Sequence, residues 1–309
     1  MSQDTCFTRN NYSLHCVHLF DTIKVMRYTF KDFKAEYPND KACLLAVLEN
    51  RYGNTCPRCG VIGVKFHPIT GRKAFVCSEC DKHIYPLAET IFRKSETSLW
   101  NWFYAIYLFS TSKNGVSAKE LERHLGVTYK TAWRMAKQIR LLMHETGKVG
   151  RDKPVEIDET FIGGKPKAHQ RADDRPPKEI VLGMVERNGR IRAHRIAGTG
   201  SKILIPAVKR GVYRGTQTYT DEYAAYRSLK WEGYPNRRVN HGKLEYVRGM
   251  THTNTIEGSW SQLKRSIDGT YHSVSPKYLQ SYVNEFVFRY NHRTTAVCPL
   301  LLERAAKLS

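Results

Sequence analysis

The sequence predicts an α/β protein: a mixed five-stranded sheet with helices, preceded by a small metal-dependent ribbon and a helical module. Three observations predict it. Two C-x2-C pairs, Cys56-Pro57-Arg58-Cys59 and Cys77-Ser78-Glu79-Cys80, stand with seventeen residues between them. Helical periodicity with capping signals runs over residues 98–145. From residue 155 onward, extended and helical stretches alternate, and three of them carry an acid: Asp158 on a strand, Asp221 at a strand end, Glu257 on a helix.

Whole-chain numbers bound the class. A chain of 309 residues can bury one sizeable core plus one or two small modules. Its 50 Lys+Arg against 29 Asp+Glu leave a net charge of +21, which attracts polyanions. The longest apolar run, Phe103 to Phe109, is far short of the roughly 20 residues a spanning helix needs, so no membrane partner is expected. The N-terminus lacks the apolar block and small-residue cleavage site of a signal peptide. A cytoplasmic, nucleoid-associated location is therefore expected.

Residues 1–52 form an N-terminal segment. Cys6, His15, Cys16 and His18 have no regular ligand spacing, and residues 1–27 are expected to be a loosely ordered end. Ala42, Leu45, Val47 and Leu48 predict a short amphipathic helix over 39–52, leading into the cysteines. Residues 53–90 read as a zinc ribbon. Each C-x2-C pair bends the backbone into a knuckle, so Cys56, Cys59, Cys77 and Cys80 present four thiolates to one structural Zn²⁺. Four thiolates leave no open position for catalysis. With few apolar residues of its own, the ribbon needs the metal to stay folded. Cys43 and Cys298, like Cys6 and Cys16, stand apart from this pattern.

Residues 91–146 form a helical module. Leu99 to Thr111 is an aromatic helix whose Trp100, Trp102, Phe103, Tyr104, Tyr107 and Phe109 suit a core better than a base-stacking platform. Ser117 and Glu120 make a capping box for a helix through His124; Leu125-Gly126-Val127 turns, and Thr128 caps a helix to about Leu142. That spacing is a helix-turn-helix. Ala132, Trp133, Ala136, Ile139 and Met143 share an apolar face, while Tyr129, Lys130, Arg134, Lys137 and Gln138 lie away from it and suit a DNA groove. Residues 147–154, with Gly and Pro breaking helix and strand alike, form a linker.

Residues 155–309 make the last unit. Val155–Phe161 reads as a strand, and Gly163 to Lys178 as a mobile basic loop. Ile180–Glu186 and Ile191–Ile196 are strands joined by an Asn188-Gly189 hairpin turn. A helix follows over Ser201–Lys209, then a strand over Thr216–Thr220, a helix over Asp221–Leu229, a short strand near Arg237–Asn240, and the Glu257 helix. Three strands, helix, strand, helix, strand, helix is the order of the ribonuclease-H-like architecture. There, acids from the first strand, the fourth strand and a late helix meet at one edge.

Three such acids can hold two divalent cations, Mg²⁺ or Mn²⁺, for chemistry at phosphorus. Lys264 follows Glu257 by seven residues, two helical turns, and so lies on the same face, suited to a flanking phosphate. His252 and Asn254 suit positioning DNA or capping the helix, and Arg265 extends the basic surface. Glu156, Glu159 and Glu222 compete for the same role. Alternation puts Glu156 on the face of Asp158, which makes it the most serious rival.

The strings Ile157-Asp158-Glu159-Thr160-Phe161-Ile162-Gly163-Gly164-Lys165, Thr220-Asp221-Glu222-Tyr223 and His252-Thr253-Asn254-Thr255-Ile256-Glu257-Gly258 resemble the DDE transposases of bacterial insertion-sequence family 1595, relatives of the Merlin elements. Glu285-Phe286-Val287-Phe288-Arg289-Tyr290-Asn291-His292-Arg293 resembles that family's C-terminal signature, and the likeness spans roughly residues 30 to 295. The resemblance implies an insertion-sequence transposase acting in DNA recombination. It implies a ribonuclease-H-like catalytic domain, a zinc ribbon and a helix-turn-helix that recognises terminal inverted repeats. It assigns the triad to Asp158, Asp221 and Glu257 and the trailing lysine to Lys264. Some members carry asparagine at the third position; glutamate here belongs to the other branch. Partners implied are double-stranded DNA, both element ends and target, with a homodimer or higher oligomer in synapsis. A DNA-binding regulator with a vestigial core, and a nuclease of the same fold that cuts without joining, are the alternatives.

Overall fold

The computed structural model describes residues 28–163, 177–239 and 252–307. The expectations for residues 1–27, and for most of the loop between Gly163 and Lys178, lie outside the described residues, as does Asn240.

Alternation of buried side chains sets the layers of the larger sheet. Its strands are β4 (Val155–Ile162), β5 (Glu179–Glu186), β6 (Ile191–Ile196), β7 (Thr218–Thr220) and β8 (Asn236–Arg238). They lie in the order β6-β5-β4-β7-β8. β5 runs antiparallel to β4 and β6, while β7 runs parallel to β4 and β8 parallel to β7. The Asn188-Gly189 turn joins β5 to β6, with Asn188 at φ +52° and Glu186 N–H donating to Arg190 O at 2.8 Å.

Val155 and Ile157 of β4, with Leu182 and Met184 of β5, face one layer: α6 (Ser201–Gly211) and a 3-10 helix over Ala224–Glu232. Val181 and Val185 of β5, with Ile162, face the other: α7 (Asn254–Arg265) and α8 (Leu279–Asn291). Side chains two apart on a strand share a face. Glu156, Asp158 and Thr160 therefore face α7, and Glu159 faces the 3-10 helix.

The helical unit has its own core. α1 (Phe30–Glu36), α2 (Asp40–Tyr52), α3 (Leu99–Thr111), α4 (Ala118–Leu125), α5 (Tyr129–Leu142) and the last helix, α9 (Val297–Lys307), surround Trp102, Phe103, Phe109 and Ile139. α9 packs on α2, α3 and α5, so the chain's final helix returns to this unit. Each large apolar side chain buried there stabilises by about 1.5–3 kcal/mol. Caps fall where the sequence expects them: Ser117 accepts from Glu120 N–H, Thr128 from Thr131 N–H, and Gly126 closes α4 in the left-handed region.

Two expectations need correction. Trp133 is half-exposed, packed edge-on against Tyr278 at 5.3 Å with Lys137 beside it; the buried stripe of α5 runs through Ala132, Met135, Ala136, Ile139 and Leu142 instead. The segment after Asp221 is a 3-10 helix that starts later, at Ala224. Its delay has a local cause: the Asp221 carboxylate accepts from Tyr223 N–H at 3.0 Å, a side-chain turn that competes with helical bonding. α1 was unforeseen. It opens on a capping box between Thr29 and Asp32, a shorter acid than the usual Glu or Gln.

The ribbon is a small antiparallel sheet of β1 (Phe66–Pro68), β2 (Phe75–Cys77) and β3 (His83–Ile84). Phe75, Val64 and Ile84 pack with Leu48 of α2, which braces the ribbon against the helical unit. Among the described residues no helix is long and apolar enough to cross a membrane.

Candidate active site

β4 and β7 pair in parallel with Val155 opposite Thr218 and Glu156 opposite Tyr219. Continuing that register sets Asp221, the residue after β7, at the level of Asp158 on the adjacent strand. The electrostatics agree. Burial, then the neighbouring charges of Glu159 and Asp221, push the Asp158 carboxyl up to about 7. Glu159 is also raised, by burial first and by Asp221 as well, while the Tyr226 hydroxyl that donates to it works in the opposite direction. On the α7 face, a buried Asp158 beside the charge of Asp221 favours either a retained proton or a cation.

α7 is fastened to β4 at two points. The first is Glu156, which is wholly buried. Its carboxylate accepts from Thr255 N–H at 2.8 Å, Ile256 N–H at 3.1 Å and the Thr255 hydroxyl at 3.0 Å, and pairs with Arg187 Nε at 2.8 Å. An acid from another strand thus satisfies the bare N–H groups and positive end of the helix dipole. Thr253, at the cap position, makes no capping bond, and its hydroxyl donates to Glu257 Oε1 at 2.7 Å. Glu156, the rival acid, therefore has a structural task. Arg187 also donates to His252 O at 2.9 Å and stacks over the Tyr219 ring at 4.1 Å.

The second point is Trp260, whose indole Nε1–H donates to Asp158 Oδ2 at 2.9 Å. Glu257 precedes Trp260 by three residues, one turn earlier on the helix that covers the Asp158 face. Asp158 and Asp221 stand side by side, and the helix carrying Glu257 is held over them. Lys264 and Arg265 lie exposed in its last turn, with Arg265 Nε donating to Ser261 O at 3.2 Å. Asn254 is exposed at its first position; His252 is half-buried, with Nδ1 3.2 Å from Glu156 Oε1 but not aligned to donate. Glu222 is exposed.

The cysteines are drawn closer than the acids. Sγ atoms of Cys56, Cys59, Cys77 and Cys80 all lie within 4.8 Å of one another, and among the described residues no other group of three or more potential metal ligands does. Arg58 N–H approaches Cys56 Sγ, and Glu79 N–H approaches Cys77 Sγ, each at 3.4 Å. Burial opposes ionisation of Cys56, but the N–H groups of Cys59 and Arg58 outweigh it and draw the thiol down to about 6. Four converging thiols, two of them approached by N–H groups, fit a closed zinc site.

On α5, Tyr129, Lys130, Arg134 and Lys137 are exposed. Lys119 sits over the Tyr129 ring at 5.0 Å, Arg134 Nη2 donates to Arg93 O at 3.4 Å, and Lys137 lies 5.7 Å from both the Trp133 and Tyr278 rings.

Residue patterns alone missed the fastenings beneath this surface. Glu285 of α8, 1% exposed, receives Arg140 Nε of α5 at 2.7 Å, the Tyr271 hydroxyl at 2.8 Å and Arg289. Glu145 receives His292 at 2.8 Å and Asn291 at 2.6 Å. Asn291 also accepts from Ile191 N–H at 2.8 Å. The Glu285–Arg293 string is thus a set of ties between α5, α8 and β6. The resemblance of this string to a family signature marked it in the sequence, but not the partners its side chains hold.

Comparison with known proteins places these sites in sequence families. Residues 38–83 match the transposase zinc-ribbon domain, a span that includes all four cysteines. Residues 150–291 match the ISXO2-like transposase domain, a span that includes Asp158, Asp221 and Glu257. The chain is also similar to an uncharacterized protein in transposable element ISH50 of Halobacterium salinarum. The two are 28% identical over 267 residues, covering 80% of this chain and 89% of that one.

Proposed function

This chain belongs to the transposases of insertion-sequence family 1595, whose zinc-ribbon and transposase domains it carries in order, and we propose that it cuts and joins DNA at Asp158 of β4, Asp221 just past β7 and Glu257 of α7. The observation that carries this reading is the parallel β4–β7 register, which brings Asp221, just past β7, level with Asp158 beneath the helix of Glu257. The strand order β6-β5-β4-β7-β8, with only β5 running against the other four, supports a ribonuclease-H-like assignment.

Asp158, Asp221 and Glu257 would hold two Mg²⁺ or Mn²⁺ ions, and the burial of Asp158 beside the charges of Glu159 and Asp221 fits a cation there. Such ions supply Lewis acidity at phosphorus and a nucleophile ionised at neutral pH. A phosphodiester at an element end is hydrolysed, freeing a 3′-hydroxyl, which then displaces a 3′-oxygen at a target phosphodiester. Lys264 neutralises a flanking phosphate. The exposed face of α5 (Tyr129, Lys130, Arg134, Lys137) reads the terminal repeat in a helix-turn-helix with α4, and His252, Asn254 and Arg265 border the site. Zinc at the four cysteines is structural. Two ends must meet, so the working form is a homodimer or larger.

A strand-transfer assay tests this, using labelled element-end duplexes, a supercoiled target and Mg²⁺. Joined product that vanishes in Asp221→Ala is expected. Cleavage without joining would favour a nuclease, and sequence-specific binding with neither would favour a regulator.

A further inference from the structure

Gly183 stands directly across from Asp158 in the β4–β5 register. A Cβ there would meet Trp260 Cη2 at 2.4 Å, Trp260 Cζ2 at 2.5 Å and Ile256 Cδ1 at 2.8 Å. Its neighbours Val181, Leu182, Met184 and Val185 are all fully buried, so this position breaks an otherwise bulky strand. The missing side chain is a slot, and the indole fills it. Strand pairing, the slot and the hydrogen bond thus meet on one acid.

Any flat apolar ring could fill that space. An indole adds an N–H, which when buried needs a partner. That partner is one oxygen of Asp158. Trp260 is only 4% exposed, so ring and N–H have little freedom to turn. Glu257 rides one turn earlier on the same helix, so α7 delivers one acid and orients another.

We propose that Trp260, seated in the Gly183 slot, is a positioning residue that fixes the Asp158 carboxylate for divalent-cation binding. The proposal rests on the reading of Asp158 as a metal ligand. Hydrogen-bond partners of ligating groups fix the ligand's orientation, and losing one typically weakens metal binding about tenfold to a hundredfold.

The test uses the full chain and Mn²⁺, with affinity read by electron paramagnetic resonance and fold by thermal melting. Trp260→Phe keeps a ring in the slot and removes the N–H. It is expected to melt close to wild type, to bind Mn²⁺ about tenfold or more weakly, and to recover strand transfer as Mn²⁺ is raised. In wild type, the indole N–H resonance that Trp260→Phe lacks should move when Mg²⁺ is added, a readout that needs no variant to fold. Unchanged Mn²⁺ affinity in Trp260→Phe, with affinity lost in Asp158→Asn, would overturn the proposal and leave the metal site standing. Mn²⁺ affinity untouched by Asp158→Asn would instead remove the underlying reading.

Discussion

The ribbon and the sheet edge each gather side chains of metal-ligating chemistry, but by opposite routes. Four cysteines come from one short stretch, already sit within 4.8 Å of one another, and are braced by a handful of apolar residues. The acids come from a strand, a strand end and a helix spread over about a hundred residues, and the β4–β7 register sets the level of only Asp158 and Asp221. The ribbon rests on four converging thiols and few apolar residues, whereas the acid site is assembled by the surrounding fold. Sheet layering, the Glu156 cap and the Trp260 bond hold the acids together against their own repulsion. On the proposed function, the first is a closed structural site and the second an open catalytic one.

The contrast is sharpest where chemistry is read. Asp158→Ala should drop strand transfer below detection while zinc content, measured by atomic emission, stays at wild-type level. Zinc loss in that variant would mean that the two sites are not independent. The converse change is Cys77→Ser. Structural zinc in small modules is worth on the order of 10 kcal/mol, so residues 53–90 should become sensitive to limited proteolysis while the α/β core resists.

Next comes the dependence of the acid site on long-range ties. Glu285→Ala leaves Arg140 buried without its partner, and breaking such a pair costs about 3–5 kcal/mol. Urea denaturation should show that loss in the core, with zinc retained.

The smallest effect follows from the raised Asp158. A free aspartate ionises near 3.8, but in the fold this one holds its proton up to about 7. The folded state binds the extra proton over that interval, so metal-free protein should lose stability as pH rises through it. Asp158→Asn should flatten this pH dependence, shifting the melting temperature by a few degrees. A slope unchanged by the substitution would mean that Asp158 is not strained.

Much of this contrast was readable in the residues, and its limits follow from distance along the chain. C-x2-C pairs, the Ser117 and Thr128 caps and the Asn188-Gly189 turn are local, because each is satisfied within a few residues. The strands and the order of the acids also came from local periodicity. What periodicity cannot give is partnership. Glu156 and Asp158 look equivalent on one strand, and only the placement of α7 makes one a helix cap and the other a carboxylate held by an indole. Gly183 reads as a weak point in a strand until Trp260 is found against it. Trp133 was misassigned because a stripe of spacing does not reveal that Tyr278 lies outside it.

The most direct test of where the cations bind is iron-mediated cleavage of the protein itself. Fe²⁺ replaces Mg²⁺ in the full chain, ascorbate and peroxide are added, and backbone cuts are mapped by mass spectrometry. Cuts clustered near Asp158, near Asp221 and at the start of α7, all absent from Asp158→Ala, are the predicted result. Cuts confined to the ribbon, or a pattern that Asp158→Ala leaves unchanged, would contradict a divalent site at these acids.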